Sequence, residues 1–190
     1  MSPKRIVLRD IAPQPWKNGA GLTREIAVGG PDPATFDWRL SVAEVGRDAP
    51  FSAFPGIDRC ITLLRGAGMR LRSRDGRIDH ALTTPFKPFE FSGDTAIDAT
   101  LAGGPCSDFN VMTRRGVFRS EVSVHRDAAE LADADVTLLL CCDGDWSVGA
   151  QAARASQALL WRTPRGTLHA APLTPGAVLL QVRLCHDRTP

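Results

Sequence analysis

Long apolar runs are missing from this sequence. No stretch approaches the roughly 20 residues that cross a bilayer, and the opening segment through Asp10 holds only three apolar residues in succession, Ile6, Val7 and Leu8. A secretory signal needs a core of about 7 to 15, so the expected address is the cytoplasm, with no membrane partner. A strong charge of either sign is missing too: 23 Lys and Arg face 21 Asp and Glu, for a net charge of +2. That balance demands no nucleic acid as partner, although the basic residues are almost all arginine. Cys60, Cys106, Cys141, Cys142 and Cys185 are odd in number and form no CxxC, so neither a disulfide framework nor a zinc ribbon is signalled. They are expected to be buried, inert thiols. No GxSxG elbow, no P-loop and no GxGxxG in a strand-helix-strand frame occurs, so the nucleophile and phosphate sites that those motifs build are not signalled.

What is present is punctuation. Gly and Pro, 17 and 14 of 190 residues, recur at short intervals, and the apolar residues between them alternate more than they repeat at helical spacing. Strands are expected at 23–28, 37–45, 59–64, 69–73, 89–91, 96–101, 109–112 and 117–124. A single helical segment is expected at Asp127–Ala134, where good helix formers follow an acidic start. After it the first pattern returns. Ile61-Thr62-Leu63-Leu64 before Gly66-Ala67-Gly68 is echoed by Val136-Thr137-Leu138-Leu139 before Asp143-Gly144-Asp145, and Phe89-Glu90-Phe91 by Leu159-Leu160-Trp161 at a similar offset. Strand, glycine turn, strand, Pro-led strand and closing apolar strand is the order of a small antiparallel jelly roll. The expected fold class is all-β, a bicupin: two antiparallel jelly-roll β-barrels in one chain with few short helices. Residues 1–118 form the unit with a ligand pocket and residues 119–190 a smaller second unit, sizes compatible with compact domains.

Candidate chemistry concentrates in the first unit. In Trp16-Lys17-Asn18-Gly19-Ala20-Gly21-Leu22-Thr23-Arg24-Glu25 the glycines allow close backbone approach, and strand alternation puts Thr23 and Glu25 on one face. In Trp38-Arg39-Leu40-Ser41-Val42-Ala43 it sets Arg39 and Ser41 opposite an apolar face. A recognition surface and a solvated sheet face both fit that pattern. Two features favour recognition. Asn18 and Asn110 are the only asparagines in the chain, the second within Asp108-Phe109-Asn110-Val111-Met112. Pro50-Phe51-Ser52-Ala53-Phe54-Pro55-Gly56-Ile57-Asp58-Arg59 is rigid and aromatic, suited to the rim of a pocket as much as to bracing a turn. His80, His125, His169 and His186 lie at least 17 residues apart, whereas a cupin metal site takes two histidines one residue apart, a nearby carboxylate and a later histidine. No metal or other cofactor is expected. A buried Arg is costly unless paired, so an anion-accepting pocket using Arg39 or Arg59 is expected, with Glu25 and Asp58 or Asp108 as internal partners.

These segments, with Gly104-Pro105-Cys106-Ser107 leading into the last, together resemble the HutD/Ves family. The resemblance runs from about residue 5 to about 185, most clearly up to about 115, and Ala20 stands where the family often has a third glycine. It implies a bicupin without metal-binding histidines, encoded in bacteria beside histidine-degradation enzymes, with no established reaction. It implies a small anionic metabolite as partner, urocanate or formylglutamate, bound so as to regulate or buffer histidine utilisation. The family's pocket lining carries over to Asn18, Thr23, Glu25, Arg39, Ser41, Ser52, Arg59, Asp108 and Asn110. Arginine suits bidentate carboxylate recognition, and Asn, Ser and Thr supply neutral donors and acceptors around it. Two alternatives stand beside this reading. One is a metal-free enzyme with Glu25 or Asp108 as general acid or base near Arg39 or Arg59; the other is a dimerisation or interaction module without a ligand. No catalytic residue is assigned, and a homodimer is compatible with each reading.

Overall fold

The computed structural model describes residues 2–32, 35–164 and 166–187. The first strands are β1 (Lys4–Val7), β2 (Gln14–Pro15), β3 (Gly21–Gly29), β4 (Trp38–Val45), β5 (Ala49–Phe51), β6 (Ile57–Arg65) and β7 (Met69–Ser73). There follow β8 (Asp79–Leu82), β9 (Pro88–Ser92), β10 (Ile97–Leu101), β11 (Cys106–Arg114), β12 (Phe118–His125) and β13 (Ala129–Leu131). The last are β14 (Val136–Asp143), β15 (Trp146–Val148), β16 (Gln151–Ala153), β17 (Gln157–Trp161), β18 (Leu168–Pro172) and β19 (Val178–His186). A 3-10 turn lies at Leu8–Asp10, and no helix among the described residues is long and apolar enough to cross a membrane.

The chain divides into two units, residues 12–117 and residues 1–11 with 118–190. This differs from the sequence division at its N-terminal end. β1 pairs antiparallel with β17, Ile6 opposite Ala158, and so joins the strands of the later unit. Four residues long with one side chain buried, β1 carries no pattern that announces its sheet.

In residues 12–117 a six-stranded antiparallel sheet, β2-β3-β4-β11-β6-β9, faces a four-stranded one, β5-β10-β7-β8. Ile61, Leu63 and Phe91 from the first pack in one core with Met69, Leu71, Ile97 and Ala99 from the second; each large apolar side chain so buried contributes about 1.5–3 kcal/mol. The turn between β6 and β7 depends on glycine. Gly68 has φ +84°, and a Cβ there would fall 2.0 Å from the Leu82 carbonyl oxygen.

The other unit pairs a five-stranded sheet, β1-β17-β14-β19-β12, with a four-stranded one, β13-β18-β15-β16. Its core joins Leu139, Cys141, Leu159 and Leu179 to Leu131, Trp146, Val148 and Ala170. Strand order repeats between the units. Raising each label by eight turns β4-β11-β6-β9 into β12-β19-β14-β17, and β5-β10-β7-β8 into β13-β18-β15-β16, which are the orders observed. No sheet closes on itself among the described residues, so the hydrogen bonding gives paired open sheets where closed jelly-roll barrels are expected from sequence.

The expected helix at Asp127–Ala134 is not formed. Ala129–Leu131 is strand β13, with Ala129 opposite Ala170 and Leu131 opposite Leu168 in β18. Eight residues nucleate a helix poorly, and as a strand the segment buries Leu131 completely in the core beside Trp146. The cysteines also divide. Cys60, Cys106 and Cys141 are buried, with burial pushing their thiols up to about 12, 11 and 12, whereas Cys142 and Cys185 are only half-buried.

Candidate functional site

Neighbouring strands of the six-stranded sheet bring the polar residues of residues 12–117 onto one inward face. Asn110 in β11 lies between Ser41 in β4 and Ile61 in β6, Met112 between Arg39 and Arg59, and Asp108 between Ala43 and Leu63. Ile61 and Leu63 belong to the core between the sheets, and the period of two turns Asp108, Asn110, Ser41, Arg39 and Arg59 the same way. β3 adds Thr23 opposite Ala43 and Glu25 opposite Ser41, followed by a bulge between Glu25 and Ala27. The result is a cavity of about 450 Å³, a volume suited to a small metabolite.

Its floor holds two opposite charges joined by an amide. Arg59 and Asp108 are 6% and 0% exposed. Arg59 Nη2 donates to Asn110 Oδ1 at 2.8 Å, and Asn110 Nδ2 donates to Asp108 Oδ1. Burial brings the Arg59 pKa down to about 10, with Asp108 opposing the shift and the Arg39 charge adding to it, so Arg59 remains a cation at neutral pH. Burial pushes Asp108 up to about 7, against the pull of Arg59 and the Asn110 amide. The guanidinium lies 4.9 Å from the centre of the Phe91 ring, 5.6 Å from Phe54 and 5.7 Å from Phe51, a three-sided cation–π enclosure. Arg59 Nε and Asp108 Oδ2 have no hydrogen-bond partner among the described residues. A buried polar atom left so costs about 1–3 kcal/mol, more when charged.

The walls and mouth are furnished differently. Arg39 donates from Nε to Glu25 Oε2 at 2.8 Å, and this pair is partly exposed. Trp16 donates from Nε1 to Thr23 Oγ1 at 2.7 Å and sets its ring edge-on to Phe51. Lys17, Asn18 and Ser52 are exposed at the mouth.

Of the residues expected from sequence, Asn18, Thr23, Arg39, Ser41, Ser52, Arg59, Asp108 and Asn110 all line this cavity. Glu25 does not line it and holds Arg39 from the side. The Asn18 amide oxygen already accepts the Ala20 N–H at 3.0 Å, so that side chain shapes the turn. Asp58, expected as an internal counter-charge, is exposed and pairs with Arg115 at 2.7 Å; alternation from Arg59 puts it on the other face. Sequence reasoning missed Gln14, Trp16, Lys17 and Met112 as lining residues. Met112 was available by alternation from Asn110, and Trp16 and Lys17 by adjacency to Asn18; nothing in the sequence marks Gln14. Among the described residues no three His, Cys, Asp or Glu side chains come together as a metal site.

A second cavity in the same unit, about 510 Å³, is bordered by Gly19, Gly21, Glu44, Val45, Gly66 and Cys106, among others. None of the unbonded buried polar atoms belongs to it. In the other unit the register equates Asn110, Ser41, Met112 and Arg39 with Gln181, Ser123, Arg183 and Glu121. Those groups are bonded within their own unit. Gln181 Nε2 donates to the Ala132 carbonyl at 2.8 Å, Gln181 Oε1 lies 3.2 Å from the His125 ring, and Arg183 binds Glu121 at 2.6 Å.

The HutD family model matches residues 8–178. This chain belongs to the HutD family. HutD from Pseudomonas fluorescens SBW25, solved in a formate condition, is similar to it at 27% identity and a TM-score of 0.86, over 96% of this chain and 98% of that one. A conserved protein of unknown function from Pseudomonas aeruginosa PAO1 is 31% identical, with a TM-score of 0.84 over 97% and 100% of the two chains. A cupin 2 conserved barrel domain protein from Leptotrichia buccalis shares the fold at 11% identity, with a TM-score of 0.56 over 98% and 97%. This family member is therefore all-β and cupin-like.

Proposed function

We propose that this HutD-family chain captures a small carboxylate in the cavity of residues 12–117 and so regulates or buffers histidine utilisation, with urocanate and formylglutamate as candidate ligands. The observation that carries this reading is the Arg59 guanidinium, buried yet unbonded at Nε and close enough to Arg39 for the second charge to depress its pKa. Two like charges held in one pocket are relieved by an anion between them. Lys17 adds a positive charge at the mouth, and Trp16, Phe51 and Phe54 offer flat walls to a planar or extended ligand. The repeated strand order is read as two cupin units, a bicupin whose first unit keeps an open site.

Calorimetric titration of urocanate and formylglutamate into wild type, Arg39→Ala and Arg59→Ala tests the reading. Loss of one charge-assisted hydrogen bond costs about 1.5–3 kcal/mol, so affinity should fall about 10- to 150-fold. Equal binding by wild type and both folded variants overturns it. The raised pKa of Asp108 favours a second reading, a metal-free enzyme in which Asp108 acts as general acid or base. Turnover of either compound, lost in Asp108→Asn, would establish that instead.

A further inference from the structure

The two unbonded polar atoms of the cavity floor, Arg59 Nε and Asp108 Oδ2, belong to groups of opposite charge. An anion drawn to Arg59 therefore meets Asp108 as well. Asp108 Oδ1 already accepts the Asn110 amide, and the residue has no exposure to solvent. Few other charges bear on it. β6 presents Arg59 and β4 presents Arg39, itself engaged by Glu25 of β3. The segment before β3 brings Lys17, exposed at the mouth. On its own strand Cys106 is a neutral thiol, and the cavity residues Pro50, Phe51 and Ser52 from the facing sheet bring no charge. The Asp108 carboxylate is thus favoured by one cation, Arg59, acting from beyond Asn110.

We propose that anion capture at this site is coupled to uptake of one proton: the ligand's carboxylate takes the Arg59 guanidinium, and Asp108 Oδ2 accepts a proton from solvent and donates it in a hydrogen bond to that carboxylate. The inference rests on the capture reading above and names how it is regulated. Once Oδ2 is protonated both orphan atoms are donors, and one anion bonded to both leaves neither unsatisfied. The alternative leaves two carboxylates ionised side by side on a buried floor, the arrangement in which carboxyl pairs elsewhere share one proton. Asp108 already sits at about 7 without ligand, and a second negative charge can only raise it. Reciprocity fixes the sign. The complex holds a proton that the free protein has lost above neutrality, so raising the pH opposes binding.

The test is calorimetric titration with N-formylglutamate, whose own carboxyls titrate near pH 4 or below, at pH 6, 7 and 8 in phosphate and in Tris. Differences in heat between buffers count protons. Uptake should approach one proton per bound ligand at pH 8, and affinity should fall by up to about tenfold per pH unit above neutrality. Asp108→Asn should still bind, without proton uptake and with a flat pH dependence. In wild type, carboxyl-carbon NMR should show one aspartate titrating near neutrality and moving upward when ligand is added, a readout that requires no variant to fold. Binding by wild type with no proton uptake at pH 8, or uptake undiminished in folded Asp108→Asn, overturns the coupling alone. If neither N-formylglutamate nor urocanate binds at any of these pH values, the capture reading falls and the coupling with it.

Discussion

Asp108 concentrates the chemistry of the site in one side chain and makes stability depend on pH. Its folded pKa of about 7 lies above the roughly 3.9 of an unfolded aspartate. Its contribution to stability is therefore fully present below about pH 4 and is lost as pH rises through about 7. Asp108→Asn, which keeps an oxygen to accept the Asn110 amide but cannot ionise, should unfold at a higher temperature than wild type at pH 8, with a smaller advantage at pH 5. Thermal melts at the two values check this, and an equal or larger advantage at pH 5 would contradict it. At this scale the site was legible where alternation alone places a side chain, as for Arg39 with Ser41. It was not legible where geometry depends on a partner far along the chain. The three rings around Arg59 come from β5, the segment after it and β9, and the bulge beside Glu25 that leaves it clasping Arg39 follows from pairing with β4.

Glycines separate two kinds of backbone constraint among the turns. Gly104 has φ +87° with nothing within 4 Å of an added Cβ, whereas Gly68 has φ +84° and would drive its Cβ into the Leu82 carbonyl oxygen. Gly104→Ala should therefore cost about 1–2 kcal/mol, the left-handed penalty alone, and Gly68→Ala clearly more; urea midpoints compare them, and equal losses would mean that the β7–β8 backbone yields freely. The readable strands include β7 and β10, which alternate buried with exposed residues, as well as β6 and β11. β6 and β11 hide apolar residues at odd and even positions, the near-continuous apolar run of a strand buried on both faces. The unread strands of residues 12–117 are short. β2 has two exposed residues, β8 buries only Leu82, and β5 contains Pro50, which suits the edge position of β5 but reads as a breaker. Ala129–Leu131 misled because helix propensity is a weak prior against one fully buried leucine.

At the scale of the whole chain, eight strands of each unit repeat in order; the Phe89–Phe91 echo at Leu159–Trp161 follows that repeat, whereas Ile61 corresponds to Leu139 and not to Val136. The repeat extends to the positions of the site but not to its openness, since Gln181, Arg183 and His125 are bonded within their own unit. Titration of a ligand that binds should accordingly give one equivalent per chain, and two equal equivalents would show that the second unit opens. The crossing of β1 into that unit shapes how the protein is made. Lys4–Val7 pairs with Gln157–Leu160, so a ribosome releases β1 long before its partner exists. At about 5–20 residues per second, roughly 150 residues of synthesis take about 8–30 s, long enough for residues 12–117 to emerge entire. Meanwhile the nascent N-terminus waits as an unpaired strand, and Lys4 and Arg5, exposed ahead of Ile6 and Val7, are the kind of charge that deters such an edge from pairing with a neighbouring chain. β1 is thus placed only after residues 12–117 have emerged, and the later unit is completed after them.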